Sequence, residues 1–419
     1  MTSNWDNGGS PDIFVAGDNV LFDDTASEFN VAVQAEVFPG SVTFNHSTND
    51  YTVTGAAIGG GGGLTKSGDG YLYLDSANTY TGTTTISGGV IVAGNNAALG
   101  SNAGGTVITA GGMLDINNKN FGTEVFTISG DGDGSGALVN YGSDQISALG
   151  RLVLGADATI GGSGRWDLRN SAPTLDMAGF TLTKAGSNYV GLVGVAVSNP
   201  GDIDVTEGFF SIQTSTTMGG SDANTITARS GAVLTSWQAA NPIDWSIQLE
   251  NGSTLRAESA ANGTNNTWTG PVTLEDSGIV TVQADGTMTL SGDISGTGSA
   301  IEKTGGASVF VSGTNTYTGL TTVSAGSLIL QNSSALGTPA GGTTVANGAR
   351  VELDDLTITG ENITVAGEGG NFFGALQSRA GASVWDGNVS VDATNTRIGA
   401  QSGASLEISG GISSTRNPT

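Results

Sequence analysis

Short runs of alternating apolar and polar residues, separated by glycine-rich turns, cover most of this chain. Leu72 and Leu74 alternate with Tyr71 and Tyr73, and this alternation predicts a strand that buries one face only. The same parity returns in other short runs: Thr84 with Ile86, Ile91 with Ala93, Val309 with Val311, Thr321 with Val323, and Leu328 with Leu330. The pattern predicts an all-β chain whose strands are about three to five residues long.

A long internal repeat accompanies the alternation. Residues 63–100 align without a gap with residues 300–337. One constant offset relates three informative pairs: Lys66 with Lys303, Asn78 with Asn315, and Gly82 with Gly319. A second and shorter repeat contains Trp268 in one copy and Trp385 in the other, and a looser relative contains Trp166.

Strands of this length are typical of either a β-sandwich or a β-solenoid. The repeats are in tandem and degenerate, proline is rare, and no helical segment is long enough for a crossover between ordinary parallel strands. These observations favour a solenoid of about 20 residues per coil, which makes about 20 coils in an elongated rod. We predict a lead-in at 1–61, a first repeat unit at 62–298 and a truncated second unit at 299–419.

The motif Asn-Thr-Tyr-Thr-Gly occurs at 78–82 and again at 315–319. One hypothesis makes Tyr80 and Tyr317 aromatic platforms for a ligand. The other makes the motif a turn, in which Asn bonds the backbone, Gly takes a left-handed conformation and Tyr packs on the next coil. The turn interpretation is favoured.

Composition excludes several classes of function. Glycine accounts for 69 of 419 residues. The net charge is −25 with only 13 Lys and Arg, and this acidity argues against binding to nucleic acid or an anionic membrane. The chain has no cysteine, so disulfides, thiol catalysis and Cys-ligated zinc are excluded. No segment is long and apolar enough for a spanning helix, and the N-terminus does not resemble a signal peptide, so we expect an internal fragment.

The stretch 64–92 resembles the passenger-associated, or autotransporter-associated, β-strand repeat. The matching positions are Lys66, Gly68, Leu72, Leu74, Asn78, Tyr80, Thr81, Gly82, Thr84, Ile86, Gly89 and Ile91. The second copy departs at Ile301 and Ala307, which replace Leu64 and Gly70. The opening stretch from Trp5 to Asp24, and residues 41–55, look like the segments that often precede such repeats.

The resemblance implies a right-handed, single-stranded parallel β-helix of the pertactin type. It also implies an exported autotransporter passenger at the bacterial cell surface, secreted by the type V route and held in the outer membrane by a barrel elsewhere in the full-length protein. This part of the chain would not itself enter the membrane.

Residues that could carry chemistry are few. His46 is the only histidine and no nucleophile-elbow motif accompanies it, so we expect a surface histidine on a turn. Carboxylates are paired at Asp23–Asp24, Asp202–Asp204 and Asp354–Asp355, and the strongest local cluster comprises Arg165, Trp166, Asp167 and Arg169. We expect that cluster to be a solvated coil edge with a packed Trp.

Two glycine-rich segments resemble ligand-binding patterns without matching them. The segment 130–136, GDGDGSG, is a single imperfect copy of a calcium-binding pattern, and a plain turn is favoured. The five glycines at 59–63 lack the Lys and Ser/Thr of a phosphate loop, so they are interpreted as a hinge or coil junction.

The sequence therefore predicts a structural or adhesive rod without catalytic, cofactor-binding or metal-binding residues. The expected partners are surface molecules of a host or matrix, or glycans. Two alternatives stay open: a β-helix enzyme that hydrolyses or eliminates polysaccharide, and a calcium-dependent glycan-binding module.

Overall fold

Most of the described strands pair in parallel with strands of the coils before and after them. The computed structural model describes residues 5–6, 10–258, 266–370 and 373–414, and it divides them between two units. The first unit comprises Met1–Gly191 with Val195–Asn199, and the second comprises Leu192–Gly194 with Pro200–Thr419.

The strands as far as Ser198 are short, with one exception of 12 residues. They are β1 Trp5–Asp6, β2 Pro11–Asp12, β3 Asn19–Asp23, β4 Asn30–Val33, β5 Ser41–Asn45, β6 Tyr51–Gly55, β7 Leu64–Ser67, β8 Tyr71–Leu74, β9 Thr84–Ile86, β10 Gly89–Ala93, β11 Thr106–Ile108, β12 Gly112–Asp115, β13 Val125–Gly130, β14 Leu138–Asn140, β15 Gln145–Leu149, β16 Arg151–Gly162, β17 Trp166–Leu168, β18 Thr174–Asp176, β19 Leu182–Lys184, β20 Tyr189–Val193 and β21 Ala196–Ser198.

The remaining strands have the same character. They are β22 Ile203–Val205, β23 Phe209–Gln213, β24 Thr225–Ala228, β25 Val233–Trp237, β26 Ser246–Leu249, β27 Thr254–Ala257, β28 Asn266–Trp268, β29 Val272–Leu274, β30 Ile279–Ala284, β31 Met288–Leu290, β32 Ile294–Ser295, β33 Ala300–Thr304, β34 Ser308–Val311, β35 Thr321–Val323, β36 Ser327–Leu330, β37 Thr343–Val345, β38 Arg350–Asp354, β39 Thr357–Thr359, β40 Ile363–Val365, β41 Leu376–Ala380, β42 Ala382–Asp386, β43 Val389–Val391, β44 Ile398–Ala400, β45 Ser405–Ile408 and β46 Ile412–Ser414.

In the first unit, β3, β5, β7, β9, β11 and β13 form one stack of parallel strands, while β4, β6, β8, β10, β12 and β14 form another. The long strand β16 belongs to both stacks, because its first half pairs with β13 and its second half with β14. The pair β1–β2 is antiparallel and lies outside these stacks.

In the second unit, three stacks of parallel strands carry the coils. One contains β22, β24, β26, β29 and β32, a second continues from β23 to β46, and a third runs from β28 to β44. The strands β39, β42 and β45 form a separate, smaller stack. The described strands are thus those of an all-β parallel solenoid, as predicted, with about 18 turns.

Coil length varies along the chain more than the sequence analysis predicts. Leu64 pairs with Thr84 on the following coil, whereas Thr254 pairs with Thr281 across a visibly longer stretch of chain. The extra length falls between the paired strands, where a solenoid tolerates insertions without loss of register. The predicted boundaries at 61/62 and 298/299, the right-handed sense and the rod shape stay predictions.

The core is the inside of each coil, where equivalent side chains stack along the unit. In the first unit one such ladder consists of Phe22, Phe44, Lys66, Ile86, Ile108, Ile128 and Leu154. Its counterpart in the second unit consists of Val282, Lys303, Val323, Val345, Val365 and Val391. The predicted inward parity is confirmed, since Leu72 and Leu74 are buried while Tyr71 and Tyr73 are exposed.

Within the described residues, no helix has the length and apolar character needed to span a membrane.

Candidate functional site

Asn78 joins three successive coils. Its Oδ1 accepts a hydrogen bond from the backbone N–H of Ile58 (3.0 Å), and its Nδ2 donates to the carbonyl of Ala98 (2.7 Å). Asn315 does the same in the second copy, with Ile294 N at 2.8 Å and Ala335 O at 2.7 Å. An amide fits because it offers an acceptor and a donor at opposite edges of the same group.

Tyr80 and Tyr317 are buried, at 1% and 2% exposure, so neither ring is available to a ligand. Each hydroxyl bonds to a threonine in the strand that follows, Tyr80 to Thr84 at 2.6 Å and Tyr317 to Thr321 at 2.7 Å. Burial raises the pKa of both tyrosines. The turn interpretation of the motif is therefore the correct one for the Asn and the Tyr.

The predicted role of the motif glycine was wrong. Gly82 and Gly319 are absent from the residues with positive φ, so no left-handed conformation requires glycine there. A Cβ on Gly82 would instead lie under 3.0 Å from backbone atoms of Gly62, and one on Gly319 would meet those of Ser299. Glycine is needed because the backbones of two coils approach closely.

Three lysines point into the core, a feature that the sequence analysis missed. Lys66, Lys184 and Lys303 are 0% exposed. The ammonium of Lys303 donates to the carbonyls of Gly305 (2.7 Å), Ala307 (2.6 Å) and Ala325 (2.7 Å), the last of which lies on the next coil. Burial lowers the pKa of Lys303 to about 8, so the ammonium with its three donors persists at neutral pH.

Lys66 repeats this arrangement, with acceptors at Ser67, Gly68 and Gly88 and a pKa lowered by burial to about 8. Lys184 bonds the carbonyls of Ala185 (2.9 Å) and Gly186 (2.7 Å). The ammonium groups of the three lysines donate hydrogen bonds to carbonyls of the turns that follow their strands. They stabilise those turns and are not accessible to a ligand.

A buried carboxyl lies further along each repeat. Glu124 is 2% exposed, and its Oε1 accepts a hydrogen bond from Thr106 Oγ1 at 2.6 Å. Glu361 and Thr343 occupy the equivalent positions of the second copy, with their oxygens 2.7 Å apart. Burial raises the pKa of Glu124 to about 7 and also raises that of Glu361. The repeat therefore extends beyond the stretch that sequence similarity made obvious.

We expect Glu124→Gln to change how stability depends on pH. The folded state holds the Glu124 proton up to pH about 7, against 4.5 in the unfolded chain, so its stabilising contribution is complete below pH 4.5 and is lost as pH rises to about 7. Glutamine has no proton to lose, so the variant should gain about 3 kcal/mol over wild type between pH 4 and pH 8. Urea unfolding at the two pH values measures this difference. Exposed Glu28→Gln is the control, and an equal stability difference at both pH values would contradict the expectation.

His46 was expected on the surface, and that prediction was wrong. The ring is 1% exposed, and its Nδ1 donates to the carbonyl of Asn49 at 2.6 Å. It packs edge-on against Tyr51 with ring centroids 4.8 Å apart, and burial lowers its pKa. A ring enclosed by aromatic neighbours is a core residue and offers no accessible base.

The paired carboxylates bond to the chain itself. Several accept backbone N–H groups: Asp23 from Thr25, Asp24 from Ser47 and Thr48, Asp202 from Thr225, and Asp355 from Ala382. The others face arginines, Asp204 with Arg229 at 2.8 Å and Asp354 with Arg379 at 3.8 Å. Asp23 thus bonds within its own turn, and the other five carboxylates bond to neighbouring coils.

The cluster at 165–169 is divided by burial. Arg165 and Asp167 form an ion pair at 2.8 Å, and the guanidinium lies 4.3 Å from the ring centroid of Tyr189. Trp166 is buried and donates to Gly161 O at 3.1 Å, whereas Arg169 is exposed. The packed Trp is as predicted, but Asp167 is buried and not solvated, and burial raises its pKa.

The segment 130–136 forms an exposed turn held by its own backbone, with Gly134 and Gly136 N–H groups on the carbonyl of Asp131 at 2.9 Å. Across the described ranges, no group of three His, Cys, Asp or Glu side chains could hold a metal ion. At 59–63, Gly62 packs directly against Gly40 of the preceding coil, which is the predicted coil junction.

The exposed aromatic side chains of the repeat at 64–93 are Tyr71 and Tyr73, not Tyr80. Both point outwards from β8, with 42% and 36% of their surface exposed. Their outward position follows from the alternation with Leu72 and Leu74, which is visible in the sequence alone.

Comparison with known proteins agrees with the repeat seen in the structure. A family model for the passenger-associated-transport-repeat matches residues 64–93 and 301–330. The chain is also 29% identical over 317 residues to the adhesin BmaC autotransporter of Brucella suis biovar 1 (strain 1330), an alignment that covers 72% of this chain. The chain spans only 9% of the length of that relative. No solved structure matches the chain significantly.

The two matched segments start at Leu64 and Ile301 on β7 and β33, and each contains one lysine that points inwards, one asparagine that joins coils and one buried tyrosine. The two segments that match the passenger-associated-transport-repeat, residues 64–93 and 301–330, are thus built into the coils of a parallel β-solenoid.

Proposed function

We propose that this chain is part of an autotransporter passenger that is exported to the bacterial cell surface and serves there as an adhesive scaffold. The observation that carries the proposal is the pair of passenger-associated-transport-repeats, which supply both the sequence motif and the bonds between coils. An adhesin autotransporter is the relative that aligns over most of the chain.

The geometry supports a scaffold more than an enzyme. The candidate acid–base side chains described above are either buried, as His46 and Glu124 are, or bonded to turns, as Asp24 is. An inverting glycosidase needs two carboxyls about 6.5–9.5 Å apart with water between them. Several outward positions on the strands of the first repeat are threonine or serine instead, as Thr65, Ser67 and Thr85 are. Such side chains suit a non-catalytic surface that contacts other molecules.

An epitope tag on intact cells tests the location. We expect a tag placed in the exposed turn at 131–135 of the full-length protein to be labelled by antibody without permeabilisation, and the label to disappear after external protease. Cells that lack the gene should adhere less to host cells or matrix than cells that carry it. A tag detected only after permeabilisation would refute the proposed location, and unchanged adhesion would refute the adhesive role.

A further inference from the structure

Tyr71 and Tyr73 present two exposed aromatic rings on the outside of the first repeat, and this pair is called the platform below. They lie two positions apart on β8, so both side chains point to the same face. Their ring centroids are 6.3 Å apart and their planes differ by 19°. Two exposed aromatic rings held nearly parallel on a paired strand form a rigid platform.

The strand that carries the platform leaves no backbone for a peptide to bind. β8 is paired with β6 on one edge and with β10 on the other, so strand addition is not available. A partner must therefore bind the side chains themselves. This favours a ligand with a flat apolar face over an extended peptide.

One side of the platform continues into an apolar ledge. Val92 is the neighbour of Tyr73 on β10, and it packs against the buried cluster of Val90, Met113 and Val139. The turn at 130–136 covers that cluster, because a Cβ on Gly132 would meet the Met113 side chain at 3.2 Å. A ligand that packs on the rings could therefore also contact this apolar ledge at its side.

The other side of the platform is polar. Thr52 on β6 is the neighbour of Tyr73 one coil earlier. The exposed carboxylate of Asp50 accepts the backbone N–H of Tyr71 at 2.8 Å and keeps further acceptor capacity. The nearest lysine in the sequence, Lys66, points into the core, so it adds no positive charge to this face.

These features describe a site for a neutral sugar. The C–H face of a pyranose packs on an aromatic ring, and its hydroxyls bond to threonine and carboxylate oxygens. Net charge of −25 disfavours sulfated, sialylated or other anionic glycans. We propose that Tyr71 and Tyr73 bind a neutral glycan, one sugar on each ring; the proposal rests on the adhesive role proposed above and names its ligand class.

The second repeat supplies a natural contrast. In the gapless alignment of the two copies, Ser308 and Phe310 replace the two tyrosines. Phe310 is only half-buried, but the guanidinium of Arg379 lies 5.4 Å from its ring centroid. The second copy therefore lacks an open pair of rings, and the platform belongs to the first repeat alone.

Titration calorimetry of the full chain with cellohexaose and chitohexaose tests the proposal, with a heparin hexasaccharide and decalysine as charged comparators. We expect at least one neutral hexasaccharide to bind, and Tyr71→Ser and Tyr73→Ser each to weaken that binding about tenfold. The exposed Tyr141→Ser, three strands further along the stack, is the control and should bind as wild type does. Both platform variants should keep the wild-type thermal midpoint, since the rings are outside the core.

No binding of either neutral sugar, tighter binding of heparin or decalysine, or equal loss in Tyr141→Ser would overturn the proposal. Surface labelling and adhesion of intact cells are independent readouts. If labelling and adhesion persist while neither sugar binds, the adhesive role is supported and the proposed glycan site is refuted.

Discussion

Replacing Asn78 by Asp is expected to destabilise the first repeat by about 3–5 kcal/mol. Asn78 is 2% exposed, and its Nδ2 donates to the carbonyl of Ala98 at 2.7 Å. Aspartate has the same shape but no N–H, so two oxygens would face each other in a site that water does not reach. The carboxyl must then take up a proton or leave the site, and either outcome weakens the link between coils.

Asn95 provides the matched control. Its Oδ1 accepts from the backbone N–H of Ala97 at 3.0 Å, a bond that an aspartate accepts equally well. We therefore expect Asn95→Asp to change stability by less than about 0.5 kcal/mol. Urea unfolding, with amide hydrogen exchange to locate the loss near Ile58 and Ala98, measures both variants. Equal stability of the two variants would show that the amide N–H does not hold the coils together.

The second repeat allows the same test in a different sequence context. Asn315 bonds Ile294 and Ala335 at nearly the same distances, so Asn315→Asp should lose a similar amount of stability. In a solenoid each coil interacts mainly with its neighbours, and the loss of exchange protection should stay within the coils next to the substitution.

Strand parity could be predicted from the sequence because it depends on local alternation. Alternation predicts that Leu72 and Leu74 face the core and that Tyr71 and Tyr73 face outwards. The structure agrees at all four positions. The same parity continues to Tyr80, because burial alternates at every position from Tyr71 to Tyr80. The sequence hides this, since the inward positions Ser76 and Asn78 are polar.

The buried lysines were missed although a signal existed. Lys66 lies two positions after Leu64, Lys184 two after Leu182 and Lys303 two after Ile301, so each has inward parity. Lysine is almost never fully buried, and this general preference outweighed the local pattern. The acceptors that make burial possible are turn carbonyls on two coils, which no single strand reveals.

His46 was missed although the same parity applies to it. It directly follows β5 and lies two positions after Phe44, which is buried in that strand. The inward parity of β5 therefore already indicated burial. The neighbouring sequence does not show that Tyr51 will enclose the ring, because that contact forms only when the chain turns back on itself.

Replacing Gly82 by Ala is expected to destabilise the first repeat by about 3 kcal/mol, although alanine is the smallest possible change. The added Cβ would lie under 3.0 Å from the carbonyl oxygen and carbon of Gly62. Backbone atoms cannot rotate away as a flexible side chain can, so the two coils must separate locally. That separation would lengthen hydrogen bonds such as Gly82 N to Gly62 O, which is 3.2 Å.

Gly61→Ala is the control, since Gly61 is exposed, has no positive φ and has nothing within 4 Å of its added Cβ. It should leave stability unchanged or raise it slightly, because alanine restricts the unfolded chain. In the second repeat, Gly319→Ala should be destabilising and Gly306→Ala should not, for the same geometric reason. Thermal and urea unfolding of the four variants decide the matter. If Gly82→Ala were as stable as Gly61→Ala, close backbone approach between coils could not be the reason for glycine in the motif.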